Sequence, residues 1–208
     1  MPESSWDELV AAAAALATAP SRRILGIAGA PGSGKSELAA RLVDALGARC
    51  RLVGMDGFHL TNAQLRRLRR LERKGAPDTF DAAGYVALLQ RLRTAEGPVR
   101  APCFDRAAEE PVADAVVVAP EVRLVVTEGN YLLLADGPWG EVAGLLDESW
   151  YVEVAEPVRL ARLIARHVAY GRTPEQARAR AYGSDLVNAR LVEATRSRAD
   201  RVVTPPDR

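Results

Sequence analysis

Gly29-Ala30-Pro31-Gly32-Ser33-Gly34-Lys35-Ser36 decides how the rest of this chain is read. The stretch matches G-x-x-x-x-G-K-[ST]. It follows the apolar run Ile24-Leu25-Gly26-Ile27-Ala28 and leads, through Glu37, into Leu38, Ala39, Leu42, Val43 and Leu46 at helical spacing. Strand, glycine loop and helix together form a phosphate cradle, because backbone N–H groups and a helix N-terminus converge on the oxygens and a Cβ would block their approach. Residues 29–37 are therefore expected to bind the nucleotide, with Lys35 at the β- and γ-phosphates and the Ser36 hydroxyl placed to ligate Mg2+. Lysine occurs only at positions 35 and 74 in an arginine-rich chain. Its presence in the loop suits a compact charge rather than a planar fork. ATP and Mg2+ are the expected cofactors.

Outward from the loop, apolar runs at 24–28, 51–55, 123–127, 150–154 and 201–203 alternate with helical stretches. Most are apolar enough to be covered on both faces, which predicts an α/β fold of the P-loop NTPase type: a mainly parallel sheet between helical layers. Ser4 or Ser5 caps a first helix running to about Ala19, and Asp81 caps another over 81–93. Pro157 opens a helix that Gly171 ends, and Thr173-Pro174 opens a long C-terminal helix. The whole, 1–208, reads as a single domain with an N-terminal helix within 1–20 and a lid region at 156–173.

A formal net charge of +1 gives no global field for nucleic acid or an anionic membrane. Cys50 and Cys103 are too isolated for a disulfide framework or metal site. The Ala-rich segment 10–19 is too short to span a bilayer, and its acidic start is the wrong flank for a secretory signal. The expected setting is the cytoplasm, with ATP and a small molecule as partners, no nucleic acid and no membrane; a homodimer stays open.

Two acids are placed at strand ends, where ligands of such sheets bind: Asp56 after Met55, and Glu128 after Thr127. Each precedes a glycine, Gly57 and Gly129, read as a sharp turn. One acid is needed near Mg2+ and one as a base for an acceptor hydroxyl. Arg159, Arg162 and Arg166, at i, i+3 and i+7, share one side of the helix after Pro157. That side reads either as a solvated basic face or as a lid closing positive charge over a transferring phosphoryl, with Arg172 extending it. Arg66, Arg67, Arg69, Arg70, Arg73 and Lys74 flank a stripe of Leu65, Leu68 and Leu71, the pattern of a solvated helix face.

The motifs GAPGSGKS (29–36), MDGFHL (55–60), RKGAPDTFD (73–81), APCFDR (101–106), TEGNYLLL (127–134), RLARLIARHVAYGRT (159–173) and SDLVNARLV (184–192) resemble the phosphoribulokinase/uridine kinase family. Within it they are most similar to the nucleoside/nucleotide kinase-like branch labelled fructose-transport-system kinase. The resemblance implies phosphoryl transfer from ATP to a hydroxyl of a sugar, nucleoside or pantothenate-like metabolite. It gives Asp56 the role of base, Glu128 that of Mg2+-associated acid, and residues 159–172 that of arginine lid, with Lys35, Arg162 and Arg166 as catalytic cations. His59, Arg106, Asn130 and Tyr131 would line the acceptor pocket. Pantothenate and uridine kinases carry a histidine near position 106, where this chain has arginine. Arg106 suits either an anionic acceptor or a structural ion pair. His59 reads as a packed residue or a substrate contact, and His167 as structural. The alternative, a nucleotide-dependent switch, needs neither an acid at position 56 nor an acceptor pocket.

Overall fold

The computed structural model describes residues 4–204; 1–3 and 205–208, the ends of the expected domain, lie outside the described residues. The chain runs α1 (Trp6–Leu16), β1 (Arg23–Ala28), α2 (Lys35–Leu46), β2 (Cys50–Gly54), α3 (Asn62–Arg67), α4 (Ala82–Thr94), β3 (Val99–Asp105), β4 (Glu110–Val118), β5 (Leu124–Gly129), β6 (Glu148–Val152), α5 (Glu156–Ala169), α6 (Pro174–Arg180), α7 (Leu186–Glu193) and β7 (Arg201–Val203). Strands β2-β5-β1-β6-β7, in that order, form one parallel sheet.

Alternation along β1 explains why its run is continuously apolar. Leu25 and Ile27 pack with Leu9, Ala13, Leu38 and Leu42 of α1 and α2, whereas Ile24 and Ala28 face Tyr85, Leu89 and Leu92 of α4. Both faces of the sheet are thus dry. Ser5 caps α1 in a reciprocal box with Glu8. The Asp81 side chain accepts from the Gly84 N–H at 2.9 Å to start α4. Among the described residues no helix is long and apolar enough to cross a membrane.

Four expectations are corrected. Helix α1 stops at Leu16, short of Ala19. Residues 99–118, read as no element, form an antiparallel hairpin outside the main sheet; its register slips between Ala101 and Cys103, at Pro102, which has no N–H to donate. The arginine-rich run is not one helix: α3 ends at Arg67 and Arg69 takes φ 56°, leaving Leu65 buried and Leu68 exposed. The long C-terminal helix is broken, with a π-type turn at Ala181–Asp185 between α6 and α7 and non-helical angles at Gly183.

Candidate active site

The loop between β1 and α2 holds Gly32 at φ +80° and Gly34 at φ +88°, a backbone that favours glycine. A Cβ on Gly32 would lie 2.6 Å from the Arg159 carbonyl oxygen, so the loop rests directly on α5. This corrects the placement of Arg159. It is only 2% exposed, donates from Nη1 to the Pro31 carbonyl at 3.3 Å, and pairs through Nη2 with Glu193. It braces the loop from beneath, while Arg162 and Arg166 stay on the open side.

Above the loop, Glu128 is buried within β5, one residue before the strand ends, and Asp56 sits in a tight turn at Met55–Phe58. Burial, aided by the charge of Asp56, raises the Glu128 pKa; Lys35 and a hydrogen bond from Ser36 oppose it. Burial likewise lowers the Lys35 pKa against the pull of Glu128 and Asp56. Arg166 opens to the site yet is crowded by protein, and desolvation followed by the nearby Arg106 charge lowers its pKa. Such a set of half-compensated charges suits a polyanion and its metal. Among the described residues no three His, Cys, Asp or Glu side chains converge on a metal. Ser36 and Glu128 alone suit Mg2+, which keeps waters and completes its shell with phosphate oxygens.

Gly57 and Gly129 are needed for close packing rather than for turning. A Cβ on Gly57 would meet the Pro102 carbonyl oxygen at 2.6 Å, and one on Gly129 would meet Met55 Cβ at 2.5 Å. The first contact seats the hairpin against the Asp56 turn. From it Arg106 reaches back, Nη2 to Asp56 Oδ2 at 3.2 Å.

Two cavities meet here. One, about 1030 Å3, runs from Gly34 and Glu37 past Arg162 to Trp6 and Thr204. The other, about 460 Å3, holds Asp56, His59, Asn62, Lys74 and Asn130. Lys35, Ser36, Arg106, Arg166 and Tyr170 line both.

In the smaller cavity His59 lies between Phe80 and Phe104, ring centroids 4.0 and 4.6 Å away. Its Nδ1 is 2.8 Å from the Asp56 carbonyl oxygen, which can only accept, so Nδ1 carries the proton. Burial lowers the ring's pKa, leaving Nε2 as an acceptor. Asn130 Oδ1 is buried without a hydrogen-bond partner. Tyr131 is corrected: it is fully buried, and its hydroxyl donates to the Gly75 carbonyl at 2.5 Å. It shapes the cavity from behind.

Several lining residues were given no role by the sequence. Arg180 donates to the carbonyls of Glu72 (3.0 Å) and Lys74, and Asn188 to that of Gly75 (3.2 Å), so the C-terminal helices grip the 72–75 loop. Asp185 lies 2.7 Å from His167 Nε2 and 3.8 Å from Arg180 Nε, so His167 is tied to the C-terminal helices while both it and Asp185 line the smaller cavity. The signal was present in the motifs at 73–81 and 184–192, but spacing alone does not pair segments a hundred residues apart.

The family model described as phosphoribulokinase/uridine kinase family matches residues 24–204. A Schizosaccharomyces pombe protein provisionally named uridine kinase is 37% identical over 202 residues, spanning 91% of this chain and 86% of that one. An ATP-dependent kinase-like protein, notR', of Aspergillus versicolor is 44% identical over 145 residues, 65% of this chain and 84% of its own. The crystal structure of a Silicibacter protein provisionally described as a fructose transport system kinase superposes with a TM-score of 0.85 at 40% identity, covering 93% of this chain and 98% of that one.

Proposed function

The chain belongs to the phosphoribulokinase/uridine kinase family and is an ATP-dependent small-molecule kinase, and from that premise we propose that it moves the γ-phosphoryl of ATP to a hydroxyl of a sugar, nucleoside or pantothenate-like acceptor. One observation carries the reading: a larger cavity leading from the phosphate loop and a smaller one beside an acid share a cationic wall of Lys35, Arg106 and Arg166. Donor and acceptor on either side of that wall would be held for in-line transfer, which leaves the protein mainly positioning and charge stabilisation to supply.

Asp56 is the base. Arg106 occupies its Oδ2, leaving Oδ1 to take the acceptor's proton as the hydroxyl attacks. Lys35 and Arg166 face the charge that spreads over the transferring oxygens, and Arg162 lies on the donor side. Ser36, with Glu128 behind it, would hold Mg2+, which would supply charge neutralisation for the phosphates. His59 Nε2 and Asn130 Oδ1 are acceptor atoms that suit a second hydroxyl of the substrate. The cytoplasm, where ATP and such metabolites meet, is the proposed setting.

The test is ADP release over a panel of hydroxylated metabolites with MgATP, against an acceptor-free blank and Lys35→Ala. At least one acceptor should raise the rate well above the blank, and Lys35→Ala should remove that rise. A wild type that binds MgATP but shows no acceptor-dependent release with any member would favour the nucleotide-switch reading.

A further inference from the structure

We propose that Trp6 and Arg41 form the platform on which the nucleobase of the donor rests, so that helix α1, outside the family match at 24–204, completes the nucleotide site. The inference rests on the larger cavity being the ATP site. The phosphate loop fixes the triphosphate at one end of that cavity, where the residues lining both cavities join it to the smaller one that holds Asp56. The nucleoside therefore occupies what remains. That space is bounded by Trp6 of α1, Arg41 of α2 and Val158 of α5, and by Val154 and Thr204 just beyond the ends of β6 and β7.

The geometry suits a flat aromatic ring. Glu37, Leu38 and Arg41 continue one face of α2 away from the loop, and Arg41 lies about 9 Å along the helix from Lys35 at 1.5 Å per residue. The Arg41 guanidinium sits over the Trp6 ring, 4.3 Å from its centroid. Trp6 and Arg41, already joined by a cation–π contact, put an aromatic ring and a delocalised charge on the cavity lining without further ordering. Helix α1 holds this pair firmly: Leu9 and Ala13 are buried against Leu38 and Leu42, and the Ser4 amide donates to the Thr204 carbonyl at 3.1 Å. Val154 and Val158 add apolar contact area, beside the Glu153 carboxylate and the Thr204 hydroxyl. The site so built selects a purine nucleoside triphosphate by ring area.

Trp6 supplies its own reporter, since it lines the cavity whereas Trp139 and Trp150 are buried in the core. Binding of MgATP, MgGTP, MgCTP and magnesium tripolyphosphate would be followed by Trp fluorescence and calorimetry in wild type, Trp6→Phe, Trp6→Ala and Arg41→Ala. MgATP should perturb the fluorescence saturably in wild type, and Trp6→Phe should lose most of that signal while keeping affinity within about threefold. Trp6→Ala should weaken MgATP about tenfold, the scale of one base–aromatic stack, and leave tripolyphosphate unchanged. Arg41→Ala should do the same to a lesser degree, and MgCTP should bind more weakly than MgATP in wild type. Equal loss of ATP and tripolyphosphate affinity in Trp6→Ala would make α1 a mere support of the loop and overturn the proposal. So would an unchanged ATP affinity. A wild type that binds tripolyphosphate as well as ATP sinks the base platform alone, whereas one that binds neither sinks the kinase reading with it.

Discussion

Arg106 at the tip of the β3–β4 hairpin reaches Asp56 in the turn after β2, Nη2 to Oδ2 at 3.2 Å, with both side chains partly open to the cavities. A cation from a two-stranded appendage is thus the nearest ionic partner of the acid assigned as base. The pair lies in the site rather than away from it, since the same guanidinium lines both cavities.

Replacing the acid should separate chemistry from binding. Asp56→Asn is expected to keep MgATP affinity within a few-fold and to lower kcat by roughly 10²–10⁴, the usual worth of a general base. Titration calorimetry and steady-state turnover check the two halves. A collapse of MgATP affinity would instead make Asp56 chiefly a metal ligand and exchange its role with Glu128.

The two open arginines of α5 should behave differently. Arg166 lines both cavities and Arg162 only the larger one. Arg166→Gln should therefore lower kcat and kcat/KM in parallel, as loss of an interaction made in the transition state does, whereas Arg162→Gln should act mainly on the KM for ATP. Initial-rate kinetics with both substrates varied distinguish the patterns, and identical profiles would refute the division.

Glu128→Gln should set stability against activity. Its folded pKa is raised, chiefly by burial, so the folded form holds its proton more tightly than the unfolded form. The associated stability is present below the unfolded value of about 4.5 and lost as pH rises through the folded pKa. Glu128→Gln, which mimics the protonated acid, should consequently raise the Tm of the ligand-free protein at pH 7, by about 2–4 °C per kcal/mol recovered. The gain should shrink as the pH is lowered toward 4, while turnover at pH 7 drops sharply. Calorimetric scans at both pH values provide the check; a lower Tm at pH 7 would contradict the sign.

Gly57→Ala tests whether the hairpin positions the site. The new Cβ would meet the Pro102 carbonyl oxygen at 2.6 Å, backbone that has to move. The hairpin should lift from the Asp56 turn and carry Arg106 with it, cutting kcat about tenfold or more while the ATP-loaded loop stays intact. Near-normal turnover would show that Arg106 does not need that seat.

The sequence displayed the sheet because β1 and β5 are buried on both faces and carry continuous apolar runs, Ile24–Ala28 and Leu124–Val126, and it displayed the loop because only glycine suits its left-handed backbone. It concealed the hairpin for the opposite reason. Strand β4 is mostly exposed, and Pro102 and Pro111 interrupt any alternation. Helical spacing grouped Arg159 with Arg162 and Arg166 correctly, but a helical wheel does not show where the loop will rest. Arg159 lies beneath it and acts as a brace. Tyr131 adjoins Asn130 in sequence, yet only the fold turns one into the core and leaves the other against the cavity.

If the two compartments hold donor and acceptor as proposed, the lining they share through Lys35, Ser36, Arg106, Arg166 and Tyr170 also governs wasteful ATP consumption. Whichever compartment is underfilled admits water to the same γ-phosphoryl that the acceptor attacks, and water is a competing nucleophile at bulk concentration. An acceptor that fills the smaller compartment excludes it; one that is too small leaves a leak beside Asp56. The ratio of phosphate released to acceptor phosphorylated is therefore an internal ruler of fit, able to rank candidate metabolites by shape even where their turnover is slow.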